Sequence, residues 1–518
     1  MRPLSPSAIN KLRLRDAAVA EVKAVRNLLP PEPDWSTVRD FAGTIERMAR
    51  SRLGSGMVVR KPAEVSARKS RHGLRPLPFL GLVERVVYAA LTDAVTKEIQ
   101  LTGRDPEGWL EFSRAPAEYG RELSPKVEES SRGVVRFGDL PPWNSPVKYV
   151  VKSDVVAFYR HVNHKILRNE LIIQGSDYEL TDHLIEFLGE LYGHHVGLPQ
   201  LHQSSDALSE VYIDAVERNM LRLGYAVWRF NDDFRVAVKG FMEALRALED
   251  LDGSLREIGL TLNEVKTTIP TFATYYLEVM GLEVSATGSV VPRQEVEDVV
   301  GDYTDDFTQD ADRAARFLDR VTDKPDGSLG ELDVKDFGPS EVRLARRALA
   351  GLARARDARG LDKVALLVRY CAELTPAAIK YVLTLRVGRR ASRSKLAEVL
   401  DELANRTATN DWQKMWVVHG YKDSGVLDLK RGRPSRVEWL RDCANYWSPP
   451  ALQAYAVWAL AVAGEVDVPE VLNLHRRAPE SLHLFYAEAA RVRGAAEDQK
   501  KRRQSFADDL LLAKLAAS

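Results

Sequence analysis

Two short apolar runs, Ala226 to Phe230 and Phe234 to Val238, flank a tight polar turn that carries the adjacent acids Asp232 and Asp233. Apolar runs around so short a turn predict a β-hairpin, and no other segment constrains the fold as tightly. Trp228, Phe230, Phe234 and Val236 need a core to cover them. The two carboxylates at the tip repel each other, and a divalent cation relieves that repulsion. The dipeptide alone says little. It recurs at Asp305-Asp306, among Gly, Thr and Gln where a solvated loop is expected, and at Asp508-Asp509. Only Asp232-Asp233 sits between two apolar strands.

A second acid ends a second strand-like run, Lys148 to Asp154. A carboxylate at the end of a buried strand costs free energy unless a metal or a partner meets it. Between the two acidic segments the pattern predicts a mostly helical stretch from 166 to 191. A loop follows over 193–203, containing Gly197-Leu198-Pro199-Gln200, and then an amphipathic helix marked by Leu208, Val211, Tyr212, Ala215, Val216 and Met220. After the hairpin come a helix over about 242–258, the segment Gly259-Leu260-Thr261-Leu262-Asn263 with Lys266 beyond it, and a strand-like run from Tyr275 to Val284. Strands and helices alternating through short antiparallel links predict an α+β domain. An acid ending one strand and an acid pair on a hairpin can converge on two Mg²⁺ ions about 4 Å apart, a chemistry that asks for hard oxygen ligands and little else.

The flanks differ in character. Residues 1–55 read as a helical segment, with Ala17, Val22, Val25, Leu28 and Leu29 near helical spacing and Pro30-Pro31 as a stop. Between Arg50 and Arg75 the chain carries Arg52, Arg60, Lys61, Arg68, Lys69 and Arg71 against Glu64 alone. Such a stretch suits either a phosphate-binding surface or a solvated loop. A helix is expected over 82–99, irregular connections over 101–145, and an acidic linker or adapter over 291–340. From 341 to 518 nearly everything reads as short helices, near 341–357, 361–373, 376–386, 394–404, 435–446, 449–464, 480–494 and 499–517. No strict repeat period appears, which leaves an irregular HEAT-like solenoid and an ordinary bundle both open. Trp412, Trp416, Trp439, Trp447 and Trp458 fall in this half and are expected to be core rather than a stacking surface for single-stranded nucleic acid.

Composition closes off several function classes. Lys plus Arg (74) equals Asp plus Glu (74), so net charge points to no partner. Two cysteines, Cys371 and Cys443, fit a reducing compartment and exclude a Cys-rich zinc module. No apolar segment approaches 18 residues and the start of the chain has no signal-peptide pattern, so no membrane span and a cytoplasmic location are expected. His161, His164, His194, His195 and His202 lack the cysteine or carboxylate spacing of a zinc site, and no P-loop pattern occurs.

Taken in order, four segments resemble the palm of the reverse transcriptase family: Tyr149 to Tyr159 its motif A, Gly197 to Leu208 its motif B, Phe230 to Phe234 its acidic hairpin, and Gly259 to Lys266 its motif D. Arg75 and the helix from Leu82 to Leu91 with Arg85 resemble its fingers motifs, so the likeness covers roughly 70–285. The resemblance implies a right-hand polymerase fold, fingers and palm over 56–290, followed by an all-α HEAT-like helical repeat domain over 341–518. It implies Asp154, Asp232 and Asp233 as catalytic metal ligands joined by the Val155 carbonyl, and Mg²⁺ (or Mn²⁺) as cofactor. Tyr159 would lie under the incoming sugar and favour dNTPs. Gln200 and Ser205 would line the nucleotide and template side, and Lys266 and Arg75 would approach the triphosphate. Where the family usually has Pro-Gln-Gly, this chain has Leu201 in the glycine place, and Asp206 follows Ser205 where many members have proline.

A palm followed by a long helical array is similar to the abortive-infection and related defence-associated reverse transcriptases of bacteria. That likeness implies DNA synthesis in antiphage defence, untemplated and primed on a protein hydroxyl in some members. Tyr421, Tyr446, Tyr455 and Tyr486 are candidate hydroxyls here. DNA or RNA is the implied partner, and the helical array is a candidate surface for homo-oligomers. The alternatives are a template-copying RNA-directed DNA polymerase and a catalytically silent nucleic-acid-binding scaffold.

Overall fold

The computed structural model describes residues 1–69, 73–101, 106–125, 142–284, 290–292, 311–322, 339–387, 391–408, 410–494 and 499–518. Arg71, Asp305-Asp306 and most of the expected 291–340 linker lie outside these residues. The chain divides into two compact units, one of residues 1–90 with 305–518 and one of residues 91–304. This division differs from the sequence-based one, because residues 56–90 cluster with the helical half.

In the first unit, α1 (Pro6–Lys11), α2 (Leu14–Lys23) and α3 (Phe41–Ser55) precede a hairpin of β1 (Ala63–Arg68) and β2 (Leu74–Phe79) and the start of the helix α4 (Leu82–Thr96), whose last six residues are counted with the second unit. The basic stretch is therefore partly strand rather than loop. Ala63, Val65 and Ala67 alternate inward, and Pro76 and Pro78 are tolerated because a two-stranded sheet has only edges. Two of its cations are engaged: Arg52 and Arg60 approach the buried Glu84 at 3.6 and 3.9 Å, and Arg60 pairs with Glu480. Arg85 is buried on Glu32 at 2.8 Å.

The second unit begins with α5 (Pro106–Glu122) and continues with β3 (Tyr149–Ser153), α6 (Phe158–His161), α7 (His164–Ile173), α8 (Tyr178–Tyr192), α9 (Gln203–Arg222), β4 (Ala226–Phe230), β5 (Asp233–Val238), α10 (Phe241–Glu257), α11 (Phe272–Met280) and the short pair β6 (Leu282–Val284) and β7 (Val290–Pro292). The strand order is β3-β5-β4, all antiparallel. Two expectations fail here. The Pro- and Gly-rich stretch expected to be irregular contains α5, a five-turn helix with Pro116 inside it. The run from Tyr275, expected as strand, is mostly helix. Thr271 caps α11 and Gly281 ends it at φ 65°, while Phe272, Tyr275 and Val279, at helical spacing, share a core with Ala117, Val147 and Val150. Burial of that face overrides the β-propensity of its aromatic and branched residues.

The first unit resumes with α12 (Ala311–Thr322), α13 (Pro339–Ala355), α14 (Val364–Tyr370), α15 (Thr375–Val387), α16 (Arg393–Glu402), α17 (Asp411–Ser424), α18 (Arg433–Cys443), α19 (Pro450–Ala463), α20 (Val468–His475), α21 (His483–Arg493), α22 (Gln499–Ser505) and α23 (Leu510–Ala517). Helices α13, α15, α17, α19, α21 and α23 pack each on the next, and α16, α18, α20 and α22 each pack on the helix that follows. This is a stack of helix pairs, the construction of an α-solenoid. Helices α17 and α20 were not expected. Trp412, Met415, Trp416, Val417, Val418 and Tyr421 bury α17 on nearly every side, so it carries no one-sided apolar stripe. Trp458 is buried too, whereas Trp447 is 87% exposed. Among the described residues no helix is long and apolar enough to cross a membrane.

Candidate active site

Strand register decides where the acids meet. Ser153 lies opposite Phe234 and Phe230 opposite Asp233, so Asp154, one residue past β3, arrives beside the tip of the β4–β5 hairpin. That tip turns through Asn231 at φ 57°, a left-handed conformation that Asn adopts more readily than most residues. Trp109 and Phe112 of α5 pack their rings against Phe230, and Arg229 bonds Glu217 at 2.8 Å, which braces the hairpin from both sides. On the other edge of β3, the segment after α10 runs alongside. Val156 N–H donates to Thr261 at 2.9 Å, Asn263 N–H to Asp154 at 2.7 Å, and Lys152 and Thr268 exchange both backbone bonds.

Asp154, Asp232 and Asp233 each offer a carboxylate oxygen, and the three oxygens lie within 4.8 Å of one another. Among the described residues, no other group of three His, Cys, Asp or Glu side chains is so placed. Asp154 is buried and held at both oxygens: Asn263 Nδ2 donates to Oδ2 at 2.8 Å and Lys266 Nζ to Oδ1 at 3.0 Å. Burial pushes the Asp233 carboxyl up to about 7, and Asp232 and Asp154 push the same way, against Arg235 and Lys266. Arg235 Nη1 stands 3.6 Å from Asp233 Oδ1. Burial alone would lower the Lys266 ammonium, but Asp154, its hydrogen bond and the other two acids raise it above its ordinary value. The all-oxygen donor set, with one carboxyl raised by burial and by its two acidic neighbours, fits a hard divalent cation.

The glycine-bearing loop before α9 is stitched to the chain that leaves β3. Gly197 N–H donates to Val162 at 2.8 Å, Leu198 N–H to Tyr159 at 2.7 Å, and His164 Nε2 meets the Gly197 carbonyl at 2.8 Å. Burial holds His164 down to about 4, and its Nε2 is engaged by the Gly197 carbonyl. Ser205 is fully buried and its hydroxyl donates to the Pro199 carbonyl at 2.5 Å, so it shapes the loop from inside. Gln200 is half-buried at the loop, and Leu201 next to it takes φ 67°. That left-handed backbone costs a leucine about 1–2 kcal/mol. Tyr159 is half-buried and donates its phenol to Asp206 at 2.5 Å. Val155 follows Asp154 with its side chain buried and its backbone bridged to Leu262.

The structure thus gathers Asp154, Asp232, Asp233 and Lys266 in one place within residues 91–304, while Tyr159 on α6 and Ser205 at the start of α9 are both bonded to the loop that carries Gln200. Arg75 belongs to the other unit, half-buried on β2 opposite Ala67. Three residues that sequence reasoning left without a role also belong to the site. Asn263 was quoted with its segment, Arg235 is two residues from Asp233 and so on the same strand face, and Asp206 was noted only as a departure.

No protein-family model matches the chain, and no curated protein matches it. Similar solved structures include the telomerase of Candida albicans in complex with a TWJ fragment of telomeric RNA (TM-score 0.31, 12% identity, 74% of this chain and 66% of that one). Apo telomerase of Candida tropicalis matches at TM-score 0.28 and 10% identity, over 69% of this chain and 70% of that one. The Candida tropicalis complex with a TWJ fragment matches at 0.31 and 12%, over 74% and 65%. The chain spans about two thirds of the length of these proteins. At such distances the geometry of the site itself has to carry any functional conclusion.

Proposed function

We propose that this protein is a reverse-transcriptase-like nucleotidyltransferase that joins dNTPs with Mg²⁺, or Mn²⁺ in its place. The observation that carries this is the convergence of Asp154, Asp232 and Asp233 within 4.8 Å at the end of one strand and the tip of a hairpin. Those carboxylates, with the Val155 carbonyl, would hold two divalent ions. Bound there, the ions would supply charge stabilisation for in-line attack of a hydroxyl on a nucleotide α-phosphate. Asn263 would keep the Asp154 carboxylate aimed, and Lys266 would exchange its bond to Asp154 for one to a triphosphate oxygen. Tyr159 would lie beneath the sugar, Gln200 beside the base or template, and Ser205 would keep the loop in shape.

The finer part of the proposal is synthesis without a template, primed on the protein, in bacterial antiphage defence. Leu201, bulky where the family carries glycine, favours it over template copying. Among the candidate hydroxyls, Tyr421, Tyr455 and Tyr486 are buried, and Tyr446 is 72% exposed. Tyr446 is therefore the priming group of choice. Labelled dNTPs incubated with the purified protein and Mg²⁺, with no added nucleic acid, test this on a denaturing gel run before and after protease. Label that stays with the protein until digestion supports self-primed synthesis. Label that appears only with primer and template supports a copying polymerase.

A further inference from the structure

The bond between Tyr159 and Asp206 joins two segments that the sequence keeps well apart. An ionised carboxylate has no proton to give, so the phenol is the donor, and a hydroxyl donating to a carboxylate makes a charge-assisted bond. Asp206 is in the first turn of α9, where the helix start favours a negative charge. Its backbone is fixed as well: its N–H donates to His202 at 3.2 Å and its carbonyl accepts from Ser209 Oγ at 2.8 Å. At the other end, the Tyr159 carbonyl takes the Leu198 N–H at 2.7 Å, and its ring lies against Phe158 with centroids 5.8 Å apart. The side chain is thus tied at its backbone and at its far oxygen. A ring held at both ends cannot swing aside without breaking a charge-assisted bond.

We propose that Asp206 is a positioning residue that pins the Tyr159 ring and thereby sets discrimination between 2′-deoxy and 2′-hydroxy nucleotides. This rests on Tyr159 lying under the sugar, as proposed above. A steric wall rejects a 2′-hydroxyl only as far as it resists displacement, and the Asp206 bond supplies that resistance. Proline in that place offers the phenol no acceptor, so here the tether is a feature of this chain's own residues.

The test compares kcat/KM for dATP and for ATP, with Mg²⁺, in the wild type, Asp206→Ala, Asp206→Asn, Tyr159→Phe and the Asp206→Ala/Tyr159→Phe pair. Asp206→Ala is expected to lower the dATP-over-ATP ratio roughly tenfold, the worth of one such bond, mainly through better use of ATP. Tyr159→Phe cuts the same bond from the other side and is expected to match it, the double variant to add nothing further, and Asp206→Asn, which keeps an acceptor oxygen, to retain most of the ratio. If Asp206→Ala does not fold, Tyr159→Phe and Asp206→Asn carry the comparison. An unchanged ratio with both kcat/KM values falling together would mean a merely structural bond and would overturn the proposal while leaving the polymerase assignment standing. Multiplying effects in the double variant would overturn it too. A wild type that incorporates neither nucleotide would remove the polymerase assignment, and this proposal with it.

Discussion

At Asp233 a single carboxyl reports on the whole acidic cluster. Its value near 7 in the folded protein exceeds that of an unfolded carboxyl, so the folded state binds more protons between about pH 4 and pH 7. The stability this group contributes is therefore present below that window and is lost as pH rises through 7. We expect the metal-free protein to melt at falling temperature from pH 5 to pH 8, and Asp233→Asn to flatten that slope. Mg²⁺ competes with the proton, so its apparent affinity should rise by up to about tenfold per pH unit below 7 and level off above. Thermal melts with and without Mg²⁺ across this range read both. Leu201 gives an independent prediction: at φ 67° glycine is unstrained and a branched residue is worst. Leu201→Gly should be more stable than Leu201→Val by about 1–2 kcal/mol in urea unfolding, the reverse of their order at an ordinary buried site.

Among the elements, α5 shows what alternation and spacing reveal and what they hide. The hairpin β4–β5 was legible because its apolar runs flank a short acidic turn, and β3 because its apolar run ends in an acid. Helix α5 was not, since Gly108, Pro116 and Gly120 read as breakers when the helix is taken alone. Packing explains Gly120: a Cβ there would stand 2.2 Å from the buried Phe272 ring of α11. Gly120→Ala should cost about 1–3 kcal/mol of stability by overpacking. Adding Phe272→Leu, which vacates that volume, should recover part of the loss in a double-mutant comparison of unfolding midpoints. Additive effects would mean that the two helices do not meet there. Helix α17 was missed for the opposite reason, because a helix buried all round leaves no polar face to mark its period.

Across the whole molecule, the start of the chain belongs with its end. Trp412 and Trp416 donate to the Leu28 carbonyl at 2.5 and 3.2 Å, Tyr455 to that of Pro30 at 2.6 Å, and Lys514 to Thr44 at 2.8 Å. No local pattern announces such contacts, because each links residues hundreds of positions apart, and so the domain division read from composition placed residues 1–55 by themselves. The acidic site was the more legible part, since chemistry that needs three carboxylates leaves them visible at strand ends. Their support was less so, because Asn263 and Asp206 gain meaning only once the segments lie side by side. The most direct measurement is incorporation of labelled dNTPs by the purified protein, wild type and Asp232→Asn, with Mg²⁺ and with EDTA, and with and without primer and template. Incorporation by the wild type with Mg²⁺, reduced to background by EDTA and in a folded Asp232→Asn variant, is the expected result. Equal incorporation by Asp232→Asn, or none by the wild type under any of these conditions, would contradict the assignment of the three acids as a nucleotidyl-transfer centre.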